Sequence, residues 1–113
     1  MDGVATIERD ELVSKLERGD SFRLIMALNE WAFDAKHIPG SEQFNTREDL
    51  YASVSPDEEV VVYCTNVDCH ASIALYHEMV ERGFGNVRRY AGGLADWEDS
   101  GGELEGTWAR SGS

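Results

Sequence analysis

Lysine is almost missing from this chain: its ten basic residues include only two lysines, Lys15 and Lys36, set against 22 acids. The resulting formal net charge of −12 repels nucleic acid and anionic lipid, so neither is expected as a partner. Adaptation to a salty cytoplasm, a codon bias towards arginine, or a cationic partner would each explain the acidity. Two cysteines, Cys64 and Cys69, are too few for a disulfide framework, but their close spacing calls for a reason. No apolar run approaches the roughly 18 residues of a membrane span. The start, Met1-Asp2-Gly3-Val4, lacks the basic and apolar regions of a secretory leader, so the cytoplasm is the expected location. Also missing are a Ser-His-Asp order, a phosphate-binding glycine loop and a dinucleotide fingerprint; the pair Gly92-Gly93 is too short to serve as either.

What is present suits one globular domain. The chain has 113 residues, 42% hydrophobic and 28% charged, enough to bury roughly 65% of its unfolded surface without staples. Ile7 to Arg18 reads as a strand end followed by a helix, with Leu12, Val13 and Leu16 on one face and Gly19 as the stop. Phe22 to Leu28 is a buried strand, His37-Ile38-Pro39-Gly40 a turn, and Thr46 the N-cap of a short helix reaching Leu50 and Tyr51. Pro56 and Asp57-Glu58-Glu59 form a solvated loop. Val60 to Tyr63 is the clearest strand: β-branched and unalternating, as expected where both faces of a parallel sheet are covered. A helix from about Ala71 to Arg82, a strand over Asn86 to Tyr90, and a last helix opened by Gly92-Gly93 follow. Residues from Gly101 onward read as a tail. The alternation of strands and helices predicts an α/β layer fold.

In such folds ligands sit beyond the carboxyl ends of the strands, and Cys64 directly follows the clearest strand. The loop after it, Thr65-Asn66-Val67-Asp68-Cys69-His70-Ala71-Ser72, runs into a helix N-terminus. Its amides can converge on the sulfur, hold an anion and lower the thiol pKa without a metal. The bland alternative is a small buried hydrophobe. Cys69 is either a resolving thiol or a space filler at the helix start. Asp68 works against thiol activation. A zinc site from Cys64, Asp68, Cys69 and His70 would lack the second ligand pair of a closed structural site, so no metal and no cofactor is expected. His37 is expected to bond backbone at its turn, His77 to pack or face solvent, and Trp31, Phe33 and Trp97 to be core.

Taken in order, several landmarks resemble a rhodanese domain: Lys36-His37-Ile38-Pro39-Gly40-Ser41, the strand Val60 to Tyr63 ending at Cys64, the helix closed by Gly83-Phe84, Asn86-Val87, and Gly92-Gly93-Leu94-Ala95-Asp96-Trp97. They span roughly residues 5 to 105, which suggests a domain over 1–105 and a C-terminal tail over 106–113. The resemblance implies a five-stranded parallel sheet with helices on both faces. It also implies transfer of a sulfane sulfur through a cysteine persulfide, with Cys64 at the equivalent position. Two departures stand out. Met26-Ala27-Leu28 occupies the place of the family's Asp-x-Arg, and Ala71 falls where the active loop usually carries a basic residue, in a loop two residues longer than the common form.

The leading functional expectation is a sulfurtransferase using Cys64, with a small sulfur donor or acceptor, or a protein persulfide, as partner. The alternatives are a non-catalytic binding or redox-sensing module and, less favoured, a thiol-based reductase of the arsenate type. The sequence does not indicate donor, acceptor or oligomeric state.

Overall fold

The computed structural model describes residues 4–65 and 69–107. Helix α1, Arg9–Arg18, carries Asp10 and Glu11 in its first turn and Lys15 and Arg18 in its last, matching the helix dipole at both ends. Strand β1, Arg23–Met26, leads to the short helix α2, Glu30–Ala35, which Asn29 caps by accepting the Ala32 N–H. Helix α3, Arg47–Ser53, starts at Thr46, whose hydroxyl accepts from the Asp49 N–H. Strand β2, Val60–Tyr63, helix α4, Ala71–Glu81, strand β3, Val87–Tyr90, and helix α5, Gly93–Asp99, complete the order.

The strands form a parallel sheet ordered β1-β2-β3, with Met26, Tyr63 and Tyr90 in register at its carboxyl end. All four residues of β2 are buried, as an unbroken β-branched run in a central strand requires. Alternation divides the sheet between two cores. Leu24, Met26, Val61, Tyr63 and Tyr90 pack with Leu12 of α1 and Leu94 and Trp97 of α5. Ile25, Val60, Val62 and Val87 pack with Leu50 of α3 and Leu75, Tyr76 and Met79 of α4.

Five strands were expected, and three are formed among the described residues. The two missing edges survive as single parallel bridges, Thr6 to Arg89 beside β3 and Glu42 to Ile25 beside β1. At the first edge Ile7 N–H donates to the Arg89 carbonyl (3.0 Å) and Arg89 N–H to the Ala5 carbonyl (2.8 Å), before α1 begins at Arg9 and ends the pairing. The second edge is held by side chains as much as backbone. Arg23 donates twice to the Glu42 carboxylate, at 2.7 and 2.8 Å. Short edges leave little unpaired backbone to template further strands.

Three expectations about other segments change. α2 was not foreseen. Trp31 on it is 66% exposed rather than core, because Phe33, two residues and about 200° further round the helix, takes the inward position. The stretch from Gly101 is not a free tail as far as Thr107: Glu105 pairs antiparallel with His37, and Thr107 N–H donates to the Asp34 carbonyl. Leu104 packs on the α1/α5 core.

The predicted turn is tied to the central strand. Ile38 N–H donates to the Tyr63 hydroxyl at 3.0 Å, and Ser41 Oγ lies 2.8 Å from the same oxygen. Burial pushes the Tyr63 phenol up to about 12, so the hydroxyl keeps its proton across the working pH range. Tyr63→Phe leaves the buried Ile38 N–H without an acceptor and is expected to cost about 2 kcal/mol. Urea denaturation should show a lower midpoint with an unchanged slope; an unchanged midpoint would mean the turn is held by packing alone.

Candidate active site

Strand β2 delivers Cys64 to the carboxyl end of the sheet, where it is 1% exposed. The strand end is held from both sides. From β1, Ala27 N–H donates to the Tyr63 carbonyl at 2.8 Å. From α5, Leu94 N–H donates to the Cys64 carbonyl at 3.0 Å and Ala95 N–H to the Thr65 carbonyl at 2.8 Å. The approach is close because Gly93 has φ +64° and no side chain: a Cβ there would lie 2.5 Å from the Cys64 oxygen. The double glycine, read only as a helix opening, is therefore a clamp on the cysteine's backbone.

Asn66, Val67 and Asp68 lie outside the described residues. The structure joins Cys64 to Cys69 in a disulfide with 6.2 Å between their Cα atoms. His70 then occupies the N-cap of α4 without a side-chain capping bond, and Ala71 and Ser72 make the first turn. Of the predicted loop, Thr65 and His70 are exposed. Ser72 is 1% exposed, its hydroxyl accepting from Arg89 Nε at 2.8 Å.

Arg89 was not among the residues singled out from the sequence. It sits on β3, is 6% exposed, and also reaches the Cys69 carbonyl with Nη2 at 3.4 Å. A signal for it existed. In a strand covered on both faces, Arg88 and Arg89 must point opposite ways, and only one can follow α1's acidic surface. Arg88 does, pairing with Glu11 at 2.9 Å, which leaves Arg89 on the α4 side.

Neither His37 nor His77 enters the site. His37 stacks on Phe33 at 3.8 Å, and its Nδ1 lies 2.7 Å from the Phe33 carbonyl, so it bonds backbone as expected. His77 meets the Tyr76 ring edge-on within α4. Tyr90, at the end of β3, donates to Asp96 at 2.5 Å; burial, then this carboxylate acceptor, raises its pKa above the ordinary value. Beside the β1 end, a cavity of about 260 Å³ is lined by Ala27, Leu28, Asn29, Gln43 and Asn45 among others. Its one cation, Arg47, is engaged by Glu78 at 3.0 Å. No helix among the described residues is long and apolar enough to cross a membrane.

A search of curated proteins finds no match. Among solved structures, the chain is similar to the BH2092 protein of Bacillus halodurans, with 20% identity, a TM-score of 0.85, and coverage of 96% of this chain and 82% of that one. The rhodanese-like domain of the Anabaena protein Alr3790 gives 23% identity and a TM-score of 0.78, covering 100% and 86%. The human single-domain sulfurtransferase TSTD1 gives 22% identity and a TM-score of 0.72, covering 86% and 97%. At these identities the likeness shows a shared fold. The family model for the rhodanese-like domain matches residues 8–100, which takes in all three strands and all five helices: the chain belongs to the rhodanese-like domain family.

Proposed function

We propose that the protein is a cytoplasmic sulfurtransferase that carries sulfane sulfur as a persulfide on Cys64. The observation that carries this reading is the position of Cys64 at the end of the buried central strand, with Cys69 in bonding reach at the start of α4. The Cys64 thiolate attacks the terminal sulfur of a persulfide or polysulfide donor. The donor's S–S bond breaks, and its remaining thiolate leaves with the electron pair. An acceptor thiolate then takes the outer sulfur and returns Cys64 to its thiolate. Cys69 offers a second exit: its thiolate attacks Cys64 Sγ, the disulfide forms and hydrosulfide leaves. Two thiols are oxidised and the sulfane sulfur is reduced to sulfide, so a thiol reductant must reopen the disulfide before the next round. The disulfide also favours a second reading, a redox-sensing module in which oxidation withdraws Cys64 from partners.

Donor choice tests the enzymatic reading. Thiosulfate, a dianion, meets a protein of net charge −12 and the uncharged Ala71 at the helix start, whereas an organic persulfide brings at most one negative charge on its sulfur. An organic persulfide is therefore expected to load Cys64 faster than thiosulfate does. Ala71→Arg should raise thiosulfate turnover by about ten- to a hundredfold, the worth of one charge-assisted hydrogen bond made in the transition state, and change organic-persulfide turnover less. Added salt should recover only the encounter part of the deficit. Rapid thiosulfate turnover by the unmodified protein at low salt would overturn the donor preference. Failure of every donor to load Cys64 would leave the redox module.

A further inference from the structure

Arg89 lies opposite Val62 in the β2-β3 register, two residues short of Cys64 along the sheet. Its strand neighbour on the same face, Val87, fills the α4-side core with an apolar side chain, so packing alone does not call for a guanidinium there. Burying one is costly unless its donors are used. Two of them go to the segment that carries the sulfur partner, the Cys69 carbonyl and the Ser72 hydroxyl. The guanidinium thus sits under the first turn of α4, bonded to the backbone of the cysteine that is joined to Cys64. Its positive charge adds to that of the helix terminus at the place where a thiolate forms.

We propose that Arg89 is a positioning residue for Cys64: it fixes Cys69 and Ser72 from below, and its charge stabilises the anionic sulfur of Cys64. This rests on the reading of Cys64 as the reactive thiol. The other charged or titratable groups around this corner, among the described residues, include His70, exposed at the α4 N-cap, Tyr76, one turn along α4 from Ser72 and accepting from the Ala5 N–H, and Asp96 on α5, already engaged by the Tyr90 hydroxyl. Asp68 is the sequence neighbour of Cys69. The β1 end contributes Ala27 and Leu28, which carry no charge.

The test is the pH profile of Cys64 alkylation by iodoacetamide in the reduced protein, with adducts located by mass spectrometry and folding followed by circular dichroism. Arg89→Met should move the Cys64 midpoint up by about one unit, while Arg89→Lys, which keeps the charge, and Ser72→Ala should leave it near that of the unmodified protein. Should Arg89→Met not fold, the double variant Arg89→Met/Ser72→Ala replaces the buried pair with an apolar contact and should show the same rise. An unmoved midpoint in the folded methionine variants, or an equal rise in Arg89→Lys, would overturn the proposal. Alkylation needs no sulfur donor. An Arg89-dependent midpoint on a Cys64 that never loads sulfur would therefore support this inference and defeat the sulfurtransferase reading. Normal loading with an unmoved midpoint would do the reverse.

Discussion

Cys64→Ser is expected to lower persulfide transfer by roughly a thousandfold or more, because a serine hydroxyl neither ionises at neutral pH nor forms the S–S bond that stores the sulfur. Cys69→Ser is expected to behave differently. It leaves Cys64 at the end of β2 with its backbone clamp from Leu94 and Ala95 intact, so one sulfur should still load. What it removes is the internal exit. The persulfide should then persist until an external thiol takes it, and hydrosulfide release without added thiol should fall. Intact-mass measurement after exposure to polysulfide reads both outcomes as the gain of one sulfur atom. Transfer surviving in Cys64→Ser would remove the nucleophile assignment. Rapid sulfide release from Cys69→Ser without added thiol would remove Cys69 as the resolving thiol.

Gly93→Ala is expected to cost about 3 kcal/mol, or roughly 15 °C in midpoint for a domain of this size. Two penalties add. A side chain at φ +64° costs about 1–2 kcal/mol in the left-handed region. The new Cβ would also sit 2.5 Å from the Cys64 oxygen and 2.9 Å from the Thr65 oxygen, both backbone atoms that cannot rotate away. Relief requires α5 to move off the end of β2, which stretches the Leu94 and Ala95 hydrogen bonds. Gly19 is the control: its φ is +71°, but nothing lies within 4 Å of a Cβ built there, so alanine should cost only the first penalty. Urea denaturation of the two variants side by side separates strain from contact. Equal losses would mean that the approach of α5 to Cys64 carries no energetic weight.

The parts legible in the sequence were those whose cause is local. Val60 to Tyr63 announces a central strand because four apolar residues without alternation have few other uses, and Cys64 inherits its place from that strand. Thr46 caps α3 through its own hydroxyl. The edges were not legible, because whether a segment pairs once or four times depends on how soon the adjoining helix or turn draws it away. Trp31 and α2 were misread for a related reason: a six-residue helix is too short to show a periodicity. The Cys64–Cys69 pair left two readings open, since spacing permits a disulfide without requiring one. Arg89 escaped because its importance comes from what a neighbouring strand places above it, and no spacing within β3 records that.

The pairing of His37 with Glu105 joins segments more than half the chain apart, with Trp97 Nε1 donating to the Glu103 carbonyl at 2.8 Å beside it. Closing a span that long from an unstructured chain is entropically unfavourable, and it becomes easy only once the sheet has brought the ends together. A nascent chain leaving the ribosome therefore presents the turn after α2 with no partner on that side. The turn stays unlatched until Glu105 has emerged, long after the cysteine-bearing strand has been synthesised.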